Sequence, residues 1–158
     1  MLHQRRRAED QLLITSRVVP QAAAICLAIR EGNDPQVMLV RSRRTGQWGL
    51  PKGEIEPGEP SRKAAEREAF EEAGVIGVAE SSPVGHFDYT KHGNVDRYRL
   101  AVHVLVQDRI VDQYPEQGMR ERKLFPITDA IEVLKLSETS HMCAEVLEHL
   151  RVVIPFDA

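Results

Sequence analysis

The 23 residues from Gly53 to Val75, GEIEPGEPSRKAAEREAFEEAGV, constrain this chain more than any other stretch. Pro57-Gly58 is a turn pair, and Pro60 fits the first turn of a helix, where its missing N–H costs little. No breaker follows before Ala73, and Ala64, Ala65, Ala69 and Ala73 are strong helix formers. Gly74 stands where a left-handed cap is expected. The spacing therefore predicts one helix over roughly residues 60–73. Glu68, Glu71 and Glu72 fall at i, i+3 and i+4 and cover an arc of roughly 100° on it. Three carboxylates so close repel one another unless a cation neutralises them. Hard dications take all-oxygen sites, and magnesium typically uses one or two carboxylates, completed by phosphate oxygens and water. The helix thus looks built to hold Mg²⁺ against a phosphate group. The alanines suit its other side, where small residues let a helix lie close to a sheet. Gly53 lets the backbone approach the same site, where its carbonyl would complete the coordination. A bare E-x-x-E-E would instead read as an exposed helix whose Glu and Arg residues pair with one another.

The chain around this stretch has 158 residues, enough for one domain with a proper core. We expect that domain over residues 18–154, after an N-terminal tail, 1–17, in which Arg5-Arg6-Arg7 is a frayed basic end. A net charge of −3 argues against bulk nucleic-acid binding, so an anionic substrate must be met by local cations. Cys26 and Cys143, both in apolar surroundings, read as buried free thiols and fit a reducing, cytoplasmic setting. The longest apolar run, from Ala22 to Ile29, is far too short to span a bilayer.

Residues 18–30 or so read as a strand buried on both faces. After a turn at Glu31-Gly32-Asn33-Asp34-Pro35, Val37 to Val40 forms its hairpin partner. A glycine-rich loop, 45–53, leads into the helix. Beyond it, Val75 to Val78 and Val84 to Phe87 read as strand segments, and residues 90–94 as a loop. Tyr98, Leu100, Val102, Val104 and Val106 alternate with Arg97, Arg99, Ala101 and His103, a strand with one buried and one partly polar face. Residues 107–121 form the longest irregular stretch, where function tends to reside. Lys123 to Ile127 is a short strand, Thr128 caps a helix running to about Lys135, and Ser137 or Thr139 caps a last helix. Met142, Val146, Leu147 and Leu150 lie on one face of that helix. A mixed sheet with helices on both faces satisfies every apolar surface, an α/β architecture.

The 53–75 stretch resembles the Nudix box, G-x5-E-x7-R-E-U-x-E-E-x-G-U with U aliphatic. Gly53, Glu59, Arg67, Glu68, Glu71, Glu72 and Gly74 meet its fixed positions, and Ala69 and Val75 its aliphatic ones. The resemblance implies the family's α/β/α sandwich with a mixed β-sheet. It also implies Mg²⁺-dependent hydrolysis of a phosphoanhydride, with Mn²⁺ as an alternative ion. It assigns metal binding to Gly53, Glu68, Glu71 and Glu72, with Glu71, a general base in some members, and Glu68 as catalytic groups. Glu59, Arg67 and Gly74 become structural parts of the box, Arg67 pairing with Glu59 or another box carboxylate.

Beyond the box, residues 43–53 look like the loop of dinucleoside polyphosphate (Ap4A) hydrolases. Residues 124–134, 26–42 and 73–77 are similar to diphosphoinositol polyphosphate phosphohydrolases. The chain departs from that subgroup at Val19-Pro20-Gln21, which replaces basic residues, and at Lys52-Gly53-Glu54, which replaces a triple glycine. Many relatives carry an acid just before the position of Leu124, where Arg122 and Lys123 stand; Glu116 and Glu121 are equally available substitutes. Among the local cations, Arg43, Arg44, Lys52 and Lys91 are the candidates for substrate contact. Such cations around an acidic site favour a small-molecule polyphosphate over a nucleotide sugar. Trp48 fits the core better than a base-stacking role, Tyr89 reads as more open, and His103 reads as structural. A hydrolase of oxidised nucleoside triphosphates, an RNA 5′-pyrophosphohydrolase and a non-catalytic nucleotide sensor are the alternatives. A silent sensor has no need of the three carboxylates.

Overall fold

The computed structural model describes residues 16–30 and 32–153. The tail with Arg5-Arg6-Arg7, the turn residue Glu31 and the expected domain end at 154 lie outside these residues. The central strand β1 (Val18–Ala28) runs parallel to β7 (Arg97–Ile110), with Ala22 opposite Ala101 and Ile25 opposite Val104. On its other edge β1 meets two antiparallel partners in turn. The first is β4 (Lys52–Glu54), which faces its beginning, and the second is β2 (Gln36–Arg41), which faces its end. β2 also pairs with the short β3 (Trp48–Gly49) and with β8 (Arg122–Pro126). β7 is long enough to carry β6 (Gly85–Thr90) along its first half and β5 (Val75–Ala79) along its second.

Alternation on β1 creates the two layers. Val19, Ala23, Ile25 and Leu27 face one core with helices α2 (Ile127–Leu134) and α3 (Cys143–Val153). Ala22, Ala24 and Cys26 face the other, beneath helix α1 (Ser61–Ala73). Here Ala64, Ala65, Ala69 and Ala73 are fully buried, small residues meeting small residues. Each methyl adds only about 0.8 kcal/mol, yet together they bring the helix axis close to the sheet. The α/β/α sandwich with a mixed sheet is thus present, and both cysteines are buried free thiols. Among the described residues, no helix is long and apolar enough to cross a membrane.

Several local expectations are corrected. Pro60 is the extended cap residue of α1, whose carbonyl accepts the Lys63 and Ala64 N–H groups, so it stands just outside the first turn. β7 continues to Ile110, so the irregular stretch begins at 111. Its supposedly polar face is buried at Ala101 and His103 because α1 covers it, whereas Val106 emerges beyond the helices and is half exposed. Thr128 lies inside α2, which starts after Pro126 without a side-chain cap. Neither Ser137 nor Thr139 caps α3: Ser137 Oγ accepts the Ser140 N–H, and the Ser140 carbonyl takes that of Cys143 at the helix start.

Candidate active site

α1 ends at Gly74, whose φ of 64° provides the left-handed cap. The Arg122 guanidinium donates to the Ala73 and Val111 carbonyls at 2.8 and 2.7 Å, covering the negative end of the helix. That employment makes Arg122 structural. Along the helix, Arg67 organises the acidic side. Its Nε and Nη2 bind both oxygens of Glu59, at 3.0 and 2.9 Å, and Nη2 also donates to the Glu54 carbonyl. Its Nη1 reaches Glu68 at 2.8 Å and Glu71 at 3.3 Å. The forked pair holds the Glu59 carboxyl below its ordinary range and raises the Arg67 value further. Arg67 thus bridges the 54–59 turn and the helix.

Carboxylate oxygens of Glu68, Glu71 and Glu116 lie within 4.8 Å of one another. Gly53 abuts this cluster so closely that a Cβ there would overlap the Glu68 carboxylate. Glu72 stands beside it, accepting the Lys52 backbone N–H at 3.3 Å. Burial pushes Glu72 up to about 8 and also raises Glu68, the neighbouring arginines only partly offsetting it. Both values describe carboxylates short of positive charge. An all-oxygen donor set, a backbone glycine pressed against it and acids raised by burial fit a hard divalent cation.

Sequence could not choose between Glu116 and Glu121. The structure brings Glu116 into the cluster, its backbone N–H bonded to the Glu71 carbonyl at 2.9 Å. Glu121 turns outward to Arg41, whose guanidinium also stacks on Trp48 at 4.8 Å.

Arg43, Arg44, Lys52 and Lys91 all line one cavity of about 320 Å³ that has Glu72 and Arg120 in its wall. Ser42 and Thr45, which no sequence signal had marked, and Ser137 and Thr139, marked only as helix caps, add hydroxyls. Lys52 Nζ donates to Thr139 at 2.7 Å and Ser140 at 3.2 Å, fastening the turn before α3 to the box loop. Burial lowers Lys52 to about 8, which leaves it mostly cationic at neutral pH. Glu138 ties the rim together: it pairs with Arg44 at 3.2 Å and accepts the His92 N–H, while its own N–H donates to Gln47.

Among the described residues, no aromatic side chain lines this cavity. Trp48 packs edge-on against Phe125, ring centres 5.2 Å apart, in line with the core role expected for it. Tyr89, read as open, is buried: it stacks on Tyr98 and donates its hydroxyl to Gln21. β6 turns that side of the strand inward, which a single strand pattern cannot reveal. His103 is structural as expected, its Nδ1–H donating to the Glu80 carbonyl and its Nε2 accepting from Ser61.

Comparison with known proteins bears on this geometry. The family described as NUDIX domain matches residues 19–144. Diphosphoinositol polyphosphate phosphohydrolase 2 of Rattus norvegicus is 38% identical over 133 residues, covering 82% of this chain and 70% of that protein. Among solved structures, a NUDIX hydrolase from Nitrosomonas europaea superposes with a TM-score of 0.66 at 22% identity, covering 84% of this chain and 88% of its own. A C. elegans Ap4A hydrolase complex gives a TM-score of 0.63 at 20% identity, covering 86% and 99%. At such identities the structural likeness speaks for the fold.

Proposed function

The chain belongs to the Nudix family as a pyrophosphohydrolase, and on that premise we propose that its substrate is a diphosphoinositol polyphosphate, cleaved at the phosphoanhydride with Mg²⁺. The observation that carries this choice is the cavity lining. Five basic side chains, Arg120 among them, and several hydroxyls face the space, and among its described lining residues there is no aromatic side chain to stack on a base. A ring crowded with phosphates needs charge and hydrogen-bond donors rather than a flat apolar platform. The 38% identical relative bears the name of an enzyme acting on that class. A dinucleoside polyphosphate is the second reading, favoured by the sequence of the 43–53 loop.

In this reading Glu68, Glu71 and Glu116, with the Gly53 carbonyl and Glu72, would hold the cation. Mg²⁺, when bound, supplies neutralisation of phosphate charge and a more acidic water. Glu71 has the most open side chain of the three box carboxylates, 35% exposed against 10% for Glu68 and Glu72. We assign it to accept the proton of the attacking water. The new P–O bond forms as the bridging oxygen departs with the other phosphate. Arg43, Arg44 and Lys91 hold the phosphates that do not react, and Lys52 stands beside the box to offset charge on the leaving one. Buried thiols fit a reducing compartment, and we place the enzyme in the cytoplasm, with a small molecule rather than nucleic acid as its partner.

The test is turnover with Mg²⁺ on a diphosphoinositol polyphosphate, Ap4A, 8-oxo-dGTP and ADP-ribose, with products identified. Selectivity for the first supports the proposal; preference for Ap4A moves it to the second reading. Binding without turnover of any of them would place the protein among sensors. Glu71→Gln should lower kcat by about 10²- to 10⁴-fold with the fold intact.

A further inference from the structure

The carboxylates of the site share two guanidinium groups, and these are held very differently. Arg67 is fixed on several sides, by both Glu59 oxygens, by the Glu54 carbonyl and by Glu68. Arg120 is not. Its Nη2 donates to Glu116 at 3.0 Å, but its Nη1 stands 3.7 Å from Glu72 and its Nε is buried with no hydrogen-bond partner. It rises from the irregular 111–121 segment rather than from a helix or strand, and it lines the basic cavity next to Glu72.

An arginine in that position has two competing uses. It compensates Glu116 and stands against Glu72, oxygens that a divalent cation would also take. It also borders the space where phosphate would sit. A dication concentrates twice the charge on the same oxygens and repels a guanidinium beside it. Arg67 has too many anchors to yield. Arg120, with one good hydrogen bond and an unsatisfied buried Nε, gives way more easily, and the basic cavity adjoins it. An arginine fork released there meets phosphate oxygens in the geometry it suits best.

We propose that Arg120 is a placeholder cation, occupying Glu72 and Glu116 until a divalent ion arrives and then turning into the cavity to bind a substrate phosphate. The inference rests on the metal site assigned above. It couples the two binding events: metal prepares the polyphosphate site, and polyphosphate tightens metal by the same factor.

Two measurements without turnover test it. In protein labelled with ¹⁵N-arginine, and assigned with Arg120→Lys, the Arg120 Nε–H should be protected from exchange and should lose that protection on Mg²⁺ titration, while Arg67 keeps its own. Calorimetric Mn²⁺ binding to Arg120→Gln should be tighter than wild type by about five-fold, the equivalent of one removed ion-pair competitor. An arginine that merely positions Glu116 predicts the opposite, weaker Mn²⁺ binding. Protection of Arg120 unchanged by Mg²⁺, or Mn²⁺ affinity equal or weaker in the variant, overturns the proposal. If Arg120→Gln does not fold, Arg120→Lys carries the same test, with a smaller gain expected and a loss again overturning it. Wild-type protein that binds neither ion would sink the metal-site assignment itself, an outcome distinguishable from the others.

Discussion

Replacing Glu72 by glutamine should make the metal-free protein more stable at neutral pH while impairing its response to Mg²⁺. Burial raises the Glu72 carboxyl from an ordinary 4.5 to about 8. In the fold it therefore keeps its proton at pH 7, whereas in the unfolded chain it has lost it. Unfolding then releases a proton, so stability falls as pH rises from 4.5 towards 8. At about 1.36 kcal/mol per pH unit, the wild type loses roughly 3 kcal/mol by pH 7 but under ~1 kcal/mol at pH 5. Glutamine carries no such cost and still offers a carbonyl to the Lys52 N–H. The 3.7 Å contact with Arg120 is already part of that value, so the expected gain is about 3 kcal/mol at pH 7 and under ~1 kcal/mol at pH 5. Urea unfolding in EDTA at the two pH values measures both differences. Added Mg²⁺ should stabilise the wild type, by restoring charge to a carboxylate the metal neutralises, and should do less for the variant. A variant no more stable than wild type at pH 7, or a gain equal at pH 5 and pH 7, would refute the burial argument.

Four further substitutions separate chemistry, binding and scaffold. Gly53→Ala drives a methyl into the Glu68 carboxylate and should lower kcat by about 10²-fold, as a misplacement near 1 Å can; activity within a factor of two of wild type would mean the loop is not held against that acid. Arg43→Ala and Lys91→Ala should each raise KM about 3- to 10-fold with kcat held, as expected for contacts made equally in ground and transition states. A fall in kcat alone, seen in steady-state kinetics, would place them at the reacting phosphate instead. Ser61→Ala leaves the buried Nε2 of His103 without its donor and should cost about 1–2 kcal/mol in urea unfolding without changing kcat. A change in kcat would give His103 a part in the reaction.

The helix with Glu68, Glu71 and Glu72 was legible because its information is local. Helix propensity, a turn before, a glycine after and spacing at 3.6 residues place three carboxylates together whatever surrounds them. The same holds for the buried strand β1, whose apolar run needs no partner to be recognised. Arg67 and Glu59 were legible as a pair only in outline; that both guanidinium edges are used, and Glu54 with them, depended on how the turn folds back.

What the chain order could not decide was anything set by two segments meeting. Tyr89 looked open because strand exposure depends on what lies across the sheet. The face of β7 with Ala101 and His103 looked partly polar because the helix that covers it lies some thirty residues earlier in the chain. Glu116 and Glu121, five residues apart, were indistinguishable until the 111–121 segment was seen to bond to the end of α1. Arg43, Arg44, Lys52 and Lys91 were named from their chain positions, but their gathering around one cavity, with hydroxyls from the turn before α3, came from the packing of distant loops. Local sequence thus determined which chemical groups the protein can offer to a metal. Tertiary structure decided which of them are desolvated side by side, because burial and electrostatic coupling depend on distance in space and not on distance along the chain.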